Sequence, residues 1–116
     1  MACCSVAQYL NDLGAWRQRL GAESVVFKEV GGLYEAYALE DVSGAHEGAD
    51  LKGISRVLST RLAPRGMAKD GRRKIMTGFK SALSDEYAGR LADTGRPVVL
   101  VSSGGEARVF GSHAET

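Results

Sequence analysis

Apolar residues recur at helical spacing near the start of the chain. Val6, Tyr9, Leu10, Leu13, Trp16 and Leu20 share one face, which predicts an amphipathic helix over 5–20. Ser5 followed by Gln8 fits a capping box, and Gly21 is a natural stop. The pattern then switches to strand character over 25–30 and 33–38, two strands hinged at Gly31-Gly32. Strand side chains alternate, so Leu33, Glu35 and Tyr37 point one way and Tyr34, Ala36 and Ala38 the other.

Beyond the hairpin the signal is more mixed. Residues 39–51 read as a short helical or irregular stretch, and 54–60 fit either strand or helix. Residues 62–74 contain Pro64, Gly66 and Gly71 and read as a mobile loop, followed by a short strand over 74–78. Ser84 is a natural N-cap for a second helix, with Asp85 and Glu86 in its first turn and Gly95 closing it. Residues 97–101, Pro-Val-Val-Leu-Val, form an apolar run of strand length, as expected of a buried central strand. A glycine-rich turn over 102–106 and a returning strand over 107–110 complete the series. The order predicts an α/β fold, a small mixed β-sheet flanked by helices. The expected layout is an N-terminal amphipathic helix over 1–22, an α/β domain over 23–111 and a frayed tail over 112–116.

Charge changes this picture more than composition does. The 116 residues are 44% hydrophobic and 25% charged, ordinary values for a soluble domain, and carry a net charge of +1. From Lys52 to Lys80, however, nine basic residues face Asp70 alone, a formal charge of +8 that leaves −7 on the remainder. Such a block either suits a polyanion, DNA or RNA, or is a solvated basic loop.

Signals for catalysis are missing. Gly78-Phe79-Lys80-Ser81 is the nearest approach to a phosphate-binding loop, but Phe79 stands where a glycine is required. His46 and His113 are isolated from metal-ligand partners, and no Gly-x-Ser-x-Gly elbow occurs. The expectation is a protein without enzymatic activity, metal or cofactor. Cys3 and Cys4 are adjacent and build no disulfide framework. With no membrane-length apolar run and no secretory pattern, the expected location is cytoplasmic, nucleoid-associated if the domain binds DNA.

An apolar residue and a carboxylate lie two positions apart just past the hinge, in Gly31-Gly32-Leu33-Tyr34-Glu35. This segment resembles the Gly-x-Phe-Tyr-Glu motif in the N-terminal mismatch-recognition domain of MutS-type DNA mismatch repair proteins. Further pieces follow in the family's order: Glu40-Asp41 with Ala45, Leu58-Ser59-Thr60-Arg61, Ile75-Met76-Thr77-Gly78-Phe79, Tyr87-Ala88-Gly89-Arg90-Leu91, Gly95 to Val101, and Arg108-Val109. The similarity runs from about Val25 to Gly111.

The resemblance implies a stand-alone DNA-binding module that reads mispaired or distorted duplex. In the family a phenylalanine wedges into the minor groove against a mispaired base and the glutamate hydrogen-bonds that base. Here Leu33 takes the wedge position and Glu35 retains the carboxylate. Leucine offers no π-face, so stacking on a base is lost. Apart from the resemblance, Leu33 is as well read as a packed strand residue and Glu35 as a surface carboxylate. Arg61, Arg65, Arg72, Arg73 and Lys74 are the expected phosphate contacts. The expected partner is double-stranded DNA, mismatched duplex included, with other repair proteins supplying the missing ATPase. The rival expectations are a protein-interaction or regulatory module that keeps the fold without mismatch reading, and an RNA binder.

Overall fold

A computed structural model describes residues 5–111; Cys3, Cys4, His113 and the tail 112–116 lie outside them. The fold is a mixed α/β arrangement of three α-helices and a seven-stranded sheet. Helix α1 (Val6–Leu20) leads into strands β1 (Val25–Val30), β2 (Leu33–Glu40) and β3 (His46–Gly48). Helix α2 (Leu51–Leu58), strands β4 (Ala63–Met67) and β5 (Arg73–Lys80), and a short 3-10 turn follow. Helix α3 (Ser84–Ala92) and strands β6 (Val98–Val101) and β7 (Ala107–Phe110) end the fold. Strand order is β4-β5-β2-β1-β6-β7, with β3 also paired to β2. Among the described strands only β1 and β6 run parallel.

Helices cover both faces of the sheet. Tyr37 of β2 meets Tyr9 of α1 edge-to-face at 5.3 Å between ring centroids. Tyr34, of opposite parity on the same strand, faces Phe79, which in turn meets Tyr87 of α3 at 5.2 Å. Helix α1 therefore covers one face and α3 the other, and α2 packs beside α3. The predicted buried strand is β6, with Val98, Val99 and Leu100 at 1% exposure or less. The capping of α1 is as the sequence predicts, with Ser5 Oγ accepting from the Gln8 amide and Gly21 ending the helix.

Three local expectations are corrected and one left open is resolved. The stretch 39–51 is the end of β2, a tight turn and β3, with α2 starting at its close. In the turn, the Asp41 carboxylate accepts from the Ser43 and Ala45 amides. Strand β3 fills the part of the β2 edge that β1, paired only as far as Glu35, leaves open. Residues 54–60 resolve into the end of α2, capped at its start by Asp50 on the Gly53 amide and at its end by left-handed Ser59.

The expected loop over 62–74 is a β4–β5 hairpin. Pro64 and Gly66 are tolerated because β4 is an edge strand carrying a bulge, and Gly66 adopts a φ of 99° there. Ser84 lies inside α3 rather than at its N-cap. Its amide already bonds to the Ser81 carbonyl through the preceding 3-10 turn, so Leu83 takes the cap position.

Candidate nucleic-acid interface

Gly31 and Gly32 have φ of 57° and 88°, the paired positive values a two-residue hairpin turn requires and that glycine supplies without strain. The turn presents Leu33, 37% exposed, at the first position of β2. Across the ladder from Leu33 stand Val30 on β1 and the exposed Lys80 on β5. The Ser81 amide donates to the Gly32 carbonyl at 2.8 Å and ties the tip to the end of β5. Glu29 beside it accepts from the Ser81 hydroxyl and the Ser103 amide, which together hold its carboxyl below the usual range.

Glu35 occupies a different environment from Leu33. Its side chain is 3% exposed, and its two oxygens accept from the Tyr37 hydroxyl and, at 2.9 Å, from Arg65. Tyr37 follows from strand parity, two residues on and on the same face. Arg65 comes from β4, across the intervening strand β5. Gly78, which faces Glu35 on β5, leaves that lane without a side chain. A Cβ there would lie 2.2 Å from the Tyr34 carbonyl oxygen, so the close approach of β5 to β2 needs glycine. Lys28, the partner of Glu35 on β1, instead bonds Asp12 of α1 at 2.6 Å.

The predicted phosphate contacts divide into two groups. Arg65, 49% exposed, lies beside Glu35. Arg61 is exposed, and its carbonyl accepts from Thr77 at 2.9 Å, beside the half of β5 nearer the tip. Arg72, Arg73 and Lys74 sit at the opposite end, because β5 runs antiparallel to β2 and pairs Arg73 with Glu40. That is roughly 23 Å of strand away from Leu33, so the fold does not bring those three to the tip. Arg72 is shared by Asp70 and Glu47, and Arg73 bonds Glu40. The charge asymmetry of the sequence is thus partly cancelled, since Glu35, Glu40 and Glu47 meet Arg65, Arg73 and Arg72 across the sheet. Lys80, beside the wedge position, was not among the expected contacts; its place at the tip depends on the β2–β5 register.

These pairs carry a pH signature. Arg73 and then His46 hold Glu40 below the usual carboxylate range, Arg72 does so for Asp70, and the Ser43 hydroxyl and Ala45 amide for Asp41. A carboxyl whose value is depressed on folding stabilises the fold above its unfolded value and loses that contribution as pH falls through the folded one. The thermal midpoint is therefore expected to be flat near neutrality and to fall as pH drops below about 4. Melting curves of the chain and of Glu40→Gln from pH 7 to 3 check this, the variant being expected to show the shallower fall.

Among the described residues no helix is long and apolar enough to cross a membrane, and no group of three or more His, Cys, Asp or Glu residues is placed to hold a metal ion. No protein-family model matches this chain, and no curated protein matches it.

Proposed function

We propose that this domain is a non-enzymatic module that binds distorted or mispaired duplex DNA through the tip of the β1–β2 hairpin. The observation that carries this reading is an exposed leucine at a two-glycine turn, flanked across the ladder by Lys80, which pairs with no carboxylate among the described residues. An apolar wedge selects steps that are cheap to unstack, and mispaired steps are. Cations at its side hold the backbone in register. The resemblance of Gly31-Gly32-Leu33-Tyr34-Glu35 to the MutS-type reader motif supports the same assignment.

In this reading Leu33 is the wedge, and Lys80, Arg61 and Arg65 contact phosphates. Glu35 lies behind the wedge and reaches a base only by exchanging Arg65 for it. Arg65, half exposed, then turns to a phosphate. Arg72 and Arg73 remain committed to their carboxylates.

The test is fluorescence anisotropy with a matched duplex and the same duplex carrying one mispair, over a salt series. Binding is expected to weaken with salt at a slope of roughly −0.9 per phosphate contacted, so about −3 for three cations. Preference for the mispaired duplex is expected to rise roughly tenfold in Leu33→Phe, which restores stacking worth about 1–3 kcal/mol. It is expected to vanish in Leu33→Asp. Absence of binding to either duplex at low salt would overturn the reading.

One observation favours the second reading, a protein-interaction module that keeps the fold without reading mismatches. Both Glu35 oxygens already have partners within the domain, and the residue is 2% exposed. Equal binding to the two duplexes, unchanged by Leu33→Phe, would select that reading.

A further inference from the structure

At the end of the sheet opposite Leu33, the start of α1, the close of β2 and the β4–β5 hairpin enclose a groove of about 650 Å³. Val6, Leu10, Leu39 and Ala68 supply its apolar lining. Met67, 59% exposed, lines it as well. The groove thus spans three elements, the first turn of α1, the end of β2 and the β4–β5 hairpin, with an exposed apolar side chain on its border. Exposed apolar surface of this kind marks an interaction site.

Electrostatics specify what kind of segment. Lys69 and Lys74 line the groove and pair with no carboxylate among the described residues. Lys74 faces Leu39 in the β2–β5 register, which sets its charge directly beside the apolar lining. The two carboxylates of the groove, Glu47 and Asp70, both bind Arg72, at 2.6 and 2.8 Å. The first turn of α1, the positive end of its dipole, opens onto the same space through Ser5, Val6 and Ala7. Among the described residues the uncommitted charge around the apolar lining is therefore positive.

We propose that this groove receives an acidic amphipathic segment of a partner protein. Its apolar side chains rest on Val6, Leu10, Leu39 and Met67, and its carboxylates meet Lys69 and Lys74. The inference is independent of the duplex-binding reading, because the groove lies at the other end of β2. The two sites would let one small domain hold a nucleic acid and a second protein at once.

The experiment is selection of random displayed peptides on the immobilised full chain, followed by fluorescence polarisation with a synthesised selected peptide. Convergence is expected on sequences rich in Asp and Glu with large apolar residues three or four apart. Met67→Asp and the double variant Lys69→Glu with Lys74→Glu are each expected to weaken binding roughly tenfold or more, the scale for an interface anchor or paired charge. Lys80→Glu, at the other end, is expected to leave peptide binding unchanged. Met67, Lys69 and Lys80 are exposed and Lys74 is half-buried, and circular dichroism verifies that each variant is folded. Failure of the selection to converge, convergence on basic or uncharged sequences, or indifference to both groove variants would overturn the proposal. So would self-association of the chain that Met67→Asp abolishes, which makes the occupant a second copy. Displacement of the peptide by duplex DNA would overturn it too, by assigning the groove to nucleic acid.

Discussion

Truncating Phe79 to alanine is expected to cost the fold about 3–5 kcal/mol, the range for removing a large buried aromatic. Phe79 is 6% exposed, and its ring lies 4.8 Å from Phe27, 6.0 Å from Tyr34 and 5.2 Å from Tyr87. One ring therefore joins β5 to β1, β2 and α3, so its loss opens a cavity bordered by four elements rather than two. Domains of this size are stable by about 5–15 kcal/mol, so the change removes a large share of the total. Urea denaturation checks it through the midpoint at unchanged slope. Phe79→Leu, which refills most of the volume, is expected to cost about 1–1.5 kcal/mol. A loss below 1 kcal/mol on truncation would mean that the aromatic cluster is not the joint described. The consequence reaches the tip as well, because Lys80 follows Phe79 directly and faces Leu33.

Arg65→Ala is the second large effect, expected at about 2–3 kcal/mol. Removing the guanidinium leaves the Glu35 carboxylate 3% exposed with the Tyr37 hydroxyl as its remaining partner. The figure is set below that of a fully buried pair because Arg65 is itself 49% exposed, so water enters where it leaves. In a Glu35→Gln background the same truncation is expected to cost about 1 kcal/mol or less, since no buried charge is stranded. A double-mutant cycle measured by urea denaturation gives the coupling directly. Costs that add without coupling would show that the pair contributes nothing specific. The cycle also bears on function. If Glu35 is to reach a base it must release Arg65, and the coupling energy measures the free-energy cost of giving up that pair.

The parts of the fold legible in the sequence were those whose cause is local. Helix α1 follows from apolar spacing with Ser5 and Gly21 at its ends, and the hairpin from two glycines between apolar runs. Strand β6 follows from an unbroken apolar run, because a strand buried on both faces has no polar side. The segment from 39 to 74 was not legible for the opposite reason. Strand β3 is three residues long and exists because β2 has an unfilled edge. Strand β4 contains Pro64 and Gly66, which argue against a strand everywhere except at a bulged edge.

The candidate site divides along the same line. By itself the sequence determined that a leucine and a glutamate follow a two-glycine turn and that Tyr37 shares their face, since these depend only on turn chemistry and the two-residue repeat of a strand. It also determined that positive charge is concentrated between Lys52 and Lys80. Which of those charges are available was decided only by tertiary structure. Antiparallel pairing of β2 with β5 placed Lys80 beside Leu33, carried Arg73 and Lys74 to the far end, and set Glu40 against Arg73. The bulge in β4 lies where Arg65 reaches across β5 to Glu35. Charges far apart along the chain meet in a sheet according to strand order and register. Those are fixed by the packing of the whole core, and no local pattern encodes them.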